Sequence, residues 1–296
     1  MPNLKKLYLG FLKNQSSKND PFLNKLNQLH SFYLPLSSWI NRKRKEKNGT
    51  LLISLSGGQG SGKSTIAQIL KLILNKNYKL KVTCFSLDDF YKTLEERKKM
   101  SINIHPLFIT RGVPGTHDHK MLLNIIKKLK SLNFRPLQIP KFDKSTDNRM
   151  KRSLWQKVKF KPDIIIFEGW CIGAKPQSNK VLKKPMNYLE KKLDIKLTWR
   201  KKVNNELKTN YKKIFKLVDS KIFLKVPSFK YVLKWRKLQE KKLRFKFKRK
   251  TMNNREVERF TMYYERLTKQ MIKDSSNFDA IIKIDKKHRI KSVKYS

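Results

Sequence analysis

Acidic residues are scarce in this chain. Its 296 residues hold 22 Asp and Glu against 71 Lys and Arg, a formal charge of +49. Cysteine is scarcer still. Cys84 and Cys171 stand far apart, each beside a strand-like run and without metal-ligand spacing. That excludes a disulfide framework, points to a reducing compartment, and reads both thiols as small buried apolar side chains. No apolar run approaches the roughly 20 residues that cross a bilayer, and there is no apolar signal-peptide core. The first eighteen residues carry no acid, yet they are poorer in Arg and Ser than a transit peptide. A cytoplasmic protein without membrane attachment is expected.

Arginine is also in short supply, since 56 of the 71 cations are lysine. So large a charge first brings nucleic acid to mind as a partner. Arginine, whose planar fork pairs bidentately with bases and phosphates, is the residue suited to that task. The lysines instead run along the whole length, with no basic-aromatic stripe and no recognisable nucleic-acid-binding module. Asn and Ile are abundant too, the pattern that drift toward AT-rich codons leaves. A solvated lysine coat needs no polyanion, and nucleic acid is not the expected partner.

What is present suffices for a core. Hydrophobic residues make up 39% of the chain and aromatics 11%, enough for one large α/β domain with insertions or for two small domains. Asp20-Pro21 reads as the N-cap and first position of a helix carrying Phe22, Leu23, Leu26 and Leu29. A second helix is expected over Leu36 to Lys45, and Asn48-Gly49 then breaks the chain. Residues 1–49 thus read as a helical extension ahead of a main domain over 50–296. From Thr50, strand-like runs alternate with helical patterns. Strands are expected at Leu51–Leu55, Lys81–Leu87, Ile164–Phe167, Ile222–Val226 and Ala280–Ile284, and helices at Gly62–Leu74 and Asp118–Leu132. That alternation argues an α/β fold, a mostly parallel sheet with helices on both faces. Residues 175–216, lysine-loaded and weakly patterned, read as a helical insertion. Residues 229–272 read as two helices, a lid among them, joined by the basic link Arg244 to Lys250.

Gly57 to Ser64 fits G-x-x-x-x-G-K-[ST] and sits between a predicted strand and a predicted helix, as a P-loop NTPase fold requires. The glycines let the backbone turn its N–H groups toward phosphates, and the helix N-terminus adds partial positive charge. Gly57, Gly58, Gln59, Gly60, Ser61, Gly62, Lys63, Ser64 and Thr65 are the expected nucleotide-binding residues. Lys63 is placed to reach the β- and γ-phosphates of ATP, and Ser64 to ligate Mg²⁺. Glu168 ends the apolar run I-I-I-F-E-G-W, where a carboxylate can hold Mg²⁺ or its water; a strand-end side chain facing solvent is the alternative. Acids are few, yet Asp88, Asp89, Asp118, Asp143, Asp147 and Glu168 recur inside the motifs.

Those motifs come in order: S-L-D-D-F-Y at Ser86 to Tyr91, R-G-V-P-G-T-H-D at Arg111 to Asp118, P-K-F-D-K-S at Pro140 to Ser145 with Asp147 and Arg149 beyond, and W-R-K-L-Q-E at Trp235 to Glu240. Together with the phosphate loop they resemble the D-glycerate 3-kinase family, part of the wider P-loop kinase group that includes phosphoribulokinase, uridine kinase and bacterial pantothenate kinase. The resemblance runs from about Leu51 to Asp285, and R-G-V-P-G-T-H-D is its most specific element. The chain departs from the pattern after Ser145, where a glycine-containing stretch ending in Asp-Arg is replaced by T-D-N-R, and in the divergent segment 175–216.

The resemblance implies ATP and Mg²⁺ as cofactors and a small glycerate-like acceptor. It implies Asp88 as general base, with Asp89 the alternative, and Ser64, Asp88 and Glu168 around the metal. Arg111 would bind the acceptor carboxylate, and His117 and Asp118 its hydroxyls. Asp118 also reads as an N-cap. Asp89, Tyr91, Lys141, Asp143 and Arg149 are further acceptor or phosphate contacts. Arg236, before Arg244 and Arg249, would be the lid arginine that steadies the transferred phosphoryl. Lys63, Asp88, Glu168 and Arg236 make up the expected catalytic set. Another metabolite kinase of the group, a nucleic-acid-associated NTPase and a nucleotide binder without turnover are the competing readings.

Overall fold

The run L-L-I-S-L-S-G forms a strand, Leu51–Gly57 (β1), buried at every position. A strand with neighbours on both edges and layers on both faces has no polar side to show, so it reads as an unbroken apolar run. Val82–Ser86 (β2), Ile164–Gly169 (β3), Ser220–Lys225 (β4), Ala280–Ile284 (β5) and Ile290–Tyr295 (β6) complete a six-stranded sheet in the order β6-β5-β4-β1-β3-β2. Neighbours are parallel except β6, which returns antiparallel to β5. The structure, a computed structural model, describes residues 2–15, 25–247 and 251–296. The cap expected at Asp20-Pro21, with Phe22 and Leu23, lies outside them, as does Arg249.

Side chains alternate across the sheet, so successive residues of one strand feed two separate cores. Leu51, Ile53 and Leu55 join one core, covered by Pro2–Gln15 (α1), Leu34–Lys45 (α2) and Lys63–Asn77 (α3). Leu52 joins the other, covered by His119–Lys130 (α4) and by Tyr263, Tyr264 and Leu267 of a later helix. Lys25–Gln28, a π-helical turn at Leu29–Tyr33 and α2 run on without a break where two separate helices were expected. The Gln28 side-chain amide donates to the Ile290 carbonyl and accepts from the Ile290 N–H, both at 3.1 Å.

The insertion over 175–216 is helical in short pieces, Asn179–Lys183, Tyr188–Leu193 and Thr198–Glu206 among them. Its anchor is a buried ionic cluster. Glu190 accepts from Arg266 at 2.6 and 2.7 Å and from Arg200 at 3.4 Å, and Asp194 accepts from Arg200 at 2.8 Å. The basic stretch Arg244–Phe247 is not a link, because Phe229–Phe247 (α5) runs through it; Lys and Arg are good helix formers, and charge alone ends no helix. Asn254–Lys273 (α6) follows. Unforeseen were the helix Leu94–Asn103, opened by a Thr93/Glu96 capping box, and two short hairpins, Leu137–Ile139 with Gln156–Val158 and Phe142–Asp143 with Asn148–Arg149. No helix among the described residues is long and apolar enough to cross a membrane.

Candidate active site

Strand register brings the motifs to one place. Leu55 of β1 and Ser86 of β2 both pair with Glu168 of β3, so the three strands end level at their carboxyl edge. Beyond that edge lie the phosphate loop, the turn Leu87–Phe90 and the Gly169-Trp170 exit. Open parallel sheets gather ligand sites at this edge.

In the phosphate loop, Gly62 caps α3 at φ +91°, a left-handed conformation that side-chain-bearing residues resist. Lys63 donates to the Gly58 carbonyl at 3.0 Å, and Ser64 Oγ donates to Glu168 Oε1 at 2.9 Å. Helix α5 lies directly on the loop. A Cβ on Gly58 would come within 2.8 Å of Val232 Cγ2, and one on Gly60 within 3.1 Å of Trp235 Cβ. His288 backs this contact, its ring stacked on Trp235 at 4.0 Å and 9°.

The charges here are strongly coupled. Burial raises the Glu168 pKa and Asp88 adds to the rise, against the Lys63 charge and the Ser64 hydrogen bond. Burial lowers the Lys63 pKa and outweighs the pull of Glu168 and Asp88. The Lys63 ammonium rests on a carbonyl of its own loop, a donor that phosphate oxygens can take over. A polyphosphate fits such a cradle. Among the described residues no three His, Cys, Asp or Glu converge on a metal position. The donor set at this edge is one hydroxyl and two carboxylates, Ser64, Glu168 and Asp88, which suits Mg²⁺, an ion that keeps waters and shares its shell with phosphates.

The two aspartates of S-L-D-D-F-Y part ways. Ser86 caps the turn, and Asp89 is drawn back onto the Ser86 N–H at 3.1 Å and onto Lys141 at 2.9 Å. Asp88 instead accepts from the Tyr91 hydroxyl at 2.7 Å and from Lys144 at 2.6 Å. Burial pushes the Asp88 carboxyl up, but the Lys144 charge and these two hydrogen bonds win and hold it well below the usual carboxylate range. The remaining charges follow the same rule of one acid per cation. Arg111 pairs with Asp147 and lies over the Phe142 ring, and Arg149 meets Asp118 at 3.5 Å.

His117 is fully buried, stacked on Tyr91 at 4.6 Å. The Tyr211 hydroxyl accepts from the Gly115 N–H and is hydrogen-bonded with His117 Nδ1. His117 Nε2 is buried without a partner. Burial lowers the His117 pKa to about 3, and the ring is neutral.

Of the expected site residues, Lys63, Ser64, Asp88 and Glu168 come together at the strand ends. Asp118 caps α4, accepting from Met121 N–H at 3.0 Å, and Asp143 braces a turn through Ser145 and Thr146. Arg236 is turned along its own helix to Glu240, and Arg244 holds Thr251 and Met252. Sequence reasoning missed Lys144, although it lies inside P-K-F-D-K-S. It also missed Tyr264, whose hydroxyl donates to the Arg111 carbonyl at 2.8 Å, and His288. No local pattern marks these three.

A phosphate loop opening onto carboxylates at the edge of a parallel sheet defines a P-loop NTPase site. Residues 52–232 match the Phosphoribulokinase / Uridine kinase family, and the chain belongs to it. It is 30% identical over 228 residues to the chloroplastic D-glycerate 3-kinase of Arabidopsis thaliana, covering 71% of this chain and 47% of that one. It is 32% identical over 234 residues to an uncharacterized kinase of Schizosaccharomyces pombe, covering 76% and 82%. Among solved structures it is similar to the D-glycerate 3-kinase of Cryptococcus neoformans, with a TM-score of 0.76 and 25% identity over 89% of this chain and 99% of that one.

Proposed function

We propose that this P-loop kinase uses ATP and Mg²⁺ to phosphorylate a small hydroxylated carboxylic acid, D-glycerate, giving 3-phosphoglycerate. The observation that carries the reading is Asp88, a carboxylate left free of the capping box and set beside the phosphate loop, Glu168 and the ammonium groups of Lys63 and Lys144. The likeness to two D-glycerate 3-kinases supports the choice of acceptor.

Roles follow from positions. The loop N–H groups and Lys63 hold the phosphates, and Ser64 and Glu168 would hold Mg²⁺, which would supply positive charge to the phosphates. Asp88 accepts the hydroxyl proton of the acceptor, and Tyr91 orients the Asp88 carboxylate. Helix α5, seated on Gly58 and Gly60, shields the loop from water.

Purified protein with ATP, Mg²⁺ and a panel of acceptors tests this by ADP release and product identification. D-glycerate is expected to turn over and yield 3-phosphoglycerate. Turnover of uridine, pantothenate or a sugar phosphate instead would reassign the acceptor. ADP release only upon addition of nucleic acid would overturn the metabolite reading.

A further inference from the structure

The acids of four ion pairs on the acceptor side each have a second partner. Asp147 also holds the buried Arg97 at 2.9 Å, Asp118 caps α4, Asp89 closes the turn at Ser86, and Asp88 accepts from the Tyr91 hydroxyl. The pair between Lys144 and Asp88 differs in its cation. The Lys144 side chain is 60% exposed, while the turn that carries it is fixed. Asp143 accepts from the Ser145 N–H at 2.8 Å and from its hydroxyl at 2.6 Å, and Asp147, at φ +55°, is tied down by Arg97 and Arg111. A flexible four-carbon stem thus stands on a rigid base, its ammonium against the carboxylate that faces the phosphate loop.

We infer that Lys144 is the residue that recognises the negative charge of the acceptor, and that its bridge to Asp88 keeps the place the acceptor takes. This rests on the kinase reading above and names the group that selects its substrate. A hydroxy acid carries a replacement for each partner: its hydroxyl donates to Asp88, and its carboxylate accepts from the ammonium. After the exchange the ammonium holds a carboxylate, Asp88 keeps the Tyr91 hydroxyl and gains that of the acceptor, and an ion pair with an exposed partner gives way readily. Arg111 is poorly placed for this task. Its guanidinium is committed to Asp147 and lies over Phe142, and freeing it would leave Asp147 with fewer partners.

The test compares wild type, Lys144→Met and Lys144→Arg in steady-state assays with ATP and Mg²⁺. The acceptors are D-glycerate and its uncharged amide, glyceramide. Loss of a charge-assisted hydrogen bond is expected to raise KM for D-glycerate about 10- to 100-fold in Lys144→Met. KM for ATP is expected to hold, kcat/KM to fall far more for D-glycerate than for glyceramide, and Lys144→Arg to recover most of the preference for the acid. ATP binding followed by thermal shift checks that each variant is folded. An equal loss on acid and amide, or an unchanged preference in Lys144→Met, overturns the Lys144 assignment alone. A wild type that phosphorylates no hydroxy acid overturns the acceptor reading and this assignment together.

Discussion

Asp88 and Asp89 are chain neighbours with different work, and one serine decides between them. The Ser86 cap consumes the carboxylate of Asp89 and leaves that of Asp88 to Tyr91 and Lys144. Asp88→Asn is expected to lower kcat about 10²- to 10⁴-fold, since the amide accepts no proton. ATP binding is expected to persist, because the phosphates rest on β1 and α3. A near-normal kcat in the same assay would move the base elsewhere. The phosphate loop was legible from the start because its chemistry lies in the spacing of adjacent residues. The charge pairing was not. Lys144 reaches Asp88 across 56 positions, and Arg97 reaches Asp147 across 50. Local pattern encodes no rule for which cation takes which acid. The burial of His117 was not legible either: a histidine in a loop motif gives no sign that Tyr91 and Tyr211 enclose it.

At the scale of elements, the seat of α5 on the phosphate loop is a close steric fit. Gly58→Ala is expected to push α5 away through the Val232 Cγ2 contact, weakening ATP binding and lowering Tm. Val232→Ala in the same chain removes both Cγ atoms and is expected to restore much of the loss. Failure of the double variant to recover would place the damage in the loop itself. The insertion offers a second case. Glu190 is 1% exposed and is the carboxylate that Arg266 meets, so Glu190→Gln leaves the buried Arg266 guanidinium short of charge while Arg200 keeps Asp194. A loss of about 3–5 kcal/mol in urea unfolding is expected; a change under about 1 kcal/mol would mean that water reaches the cluster. The parallel strands were legible because a doubly covered strand is apolar throughout. The insertion was legible as helical, and Trp199, Val203, Leu207 and Tyr211 seat it in the core; its ion pairs to α6 were not, because no local pattern announces them.

At the scale of the whole molecule, charge and protons govern stability. His117 and His288 have folded pKa values lowered by burial to about 3 and about 4, against 6.5 when free. The unfolded chain therefore takes up protons first as pH falls below 6.5. Stability is full above that value and is lost toward pH 4, by up to about 1.4 kcal/mol per pH unit for each ring. His288→Asn, which tolerates the left-handed backbone at φ +66°, is expected to remove one of these two contributions from the slope measured by denaturant unfolding. An unchanged slope would mean that His288 titrates normally in the fold. The formal charge of +49 adds self-repulsion across the surface. Raising salt from about 0.05 to about 0.5 M shortens the screening length and is expected to raise Tm; a falling Tm would mean that the surface pairs outweigh the repulsion. The clasp between Gln28 and Ile290 has a consequence of its own. The two groups lie 262 positions apart, so the ribosome releases the first long before it has made the second. The early helices must wait beside an unfinished sheet, and this part of their seat exists only once β6 has been made.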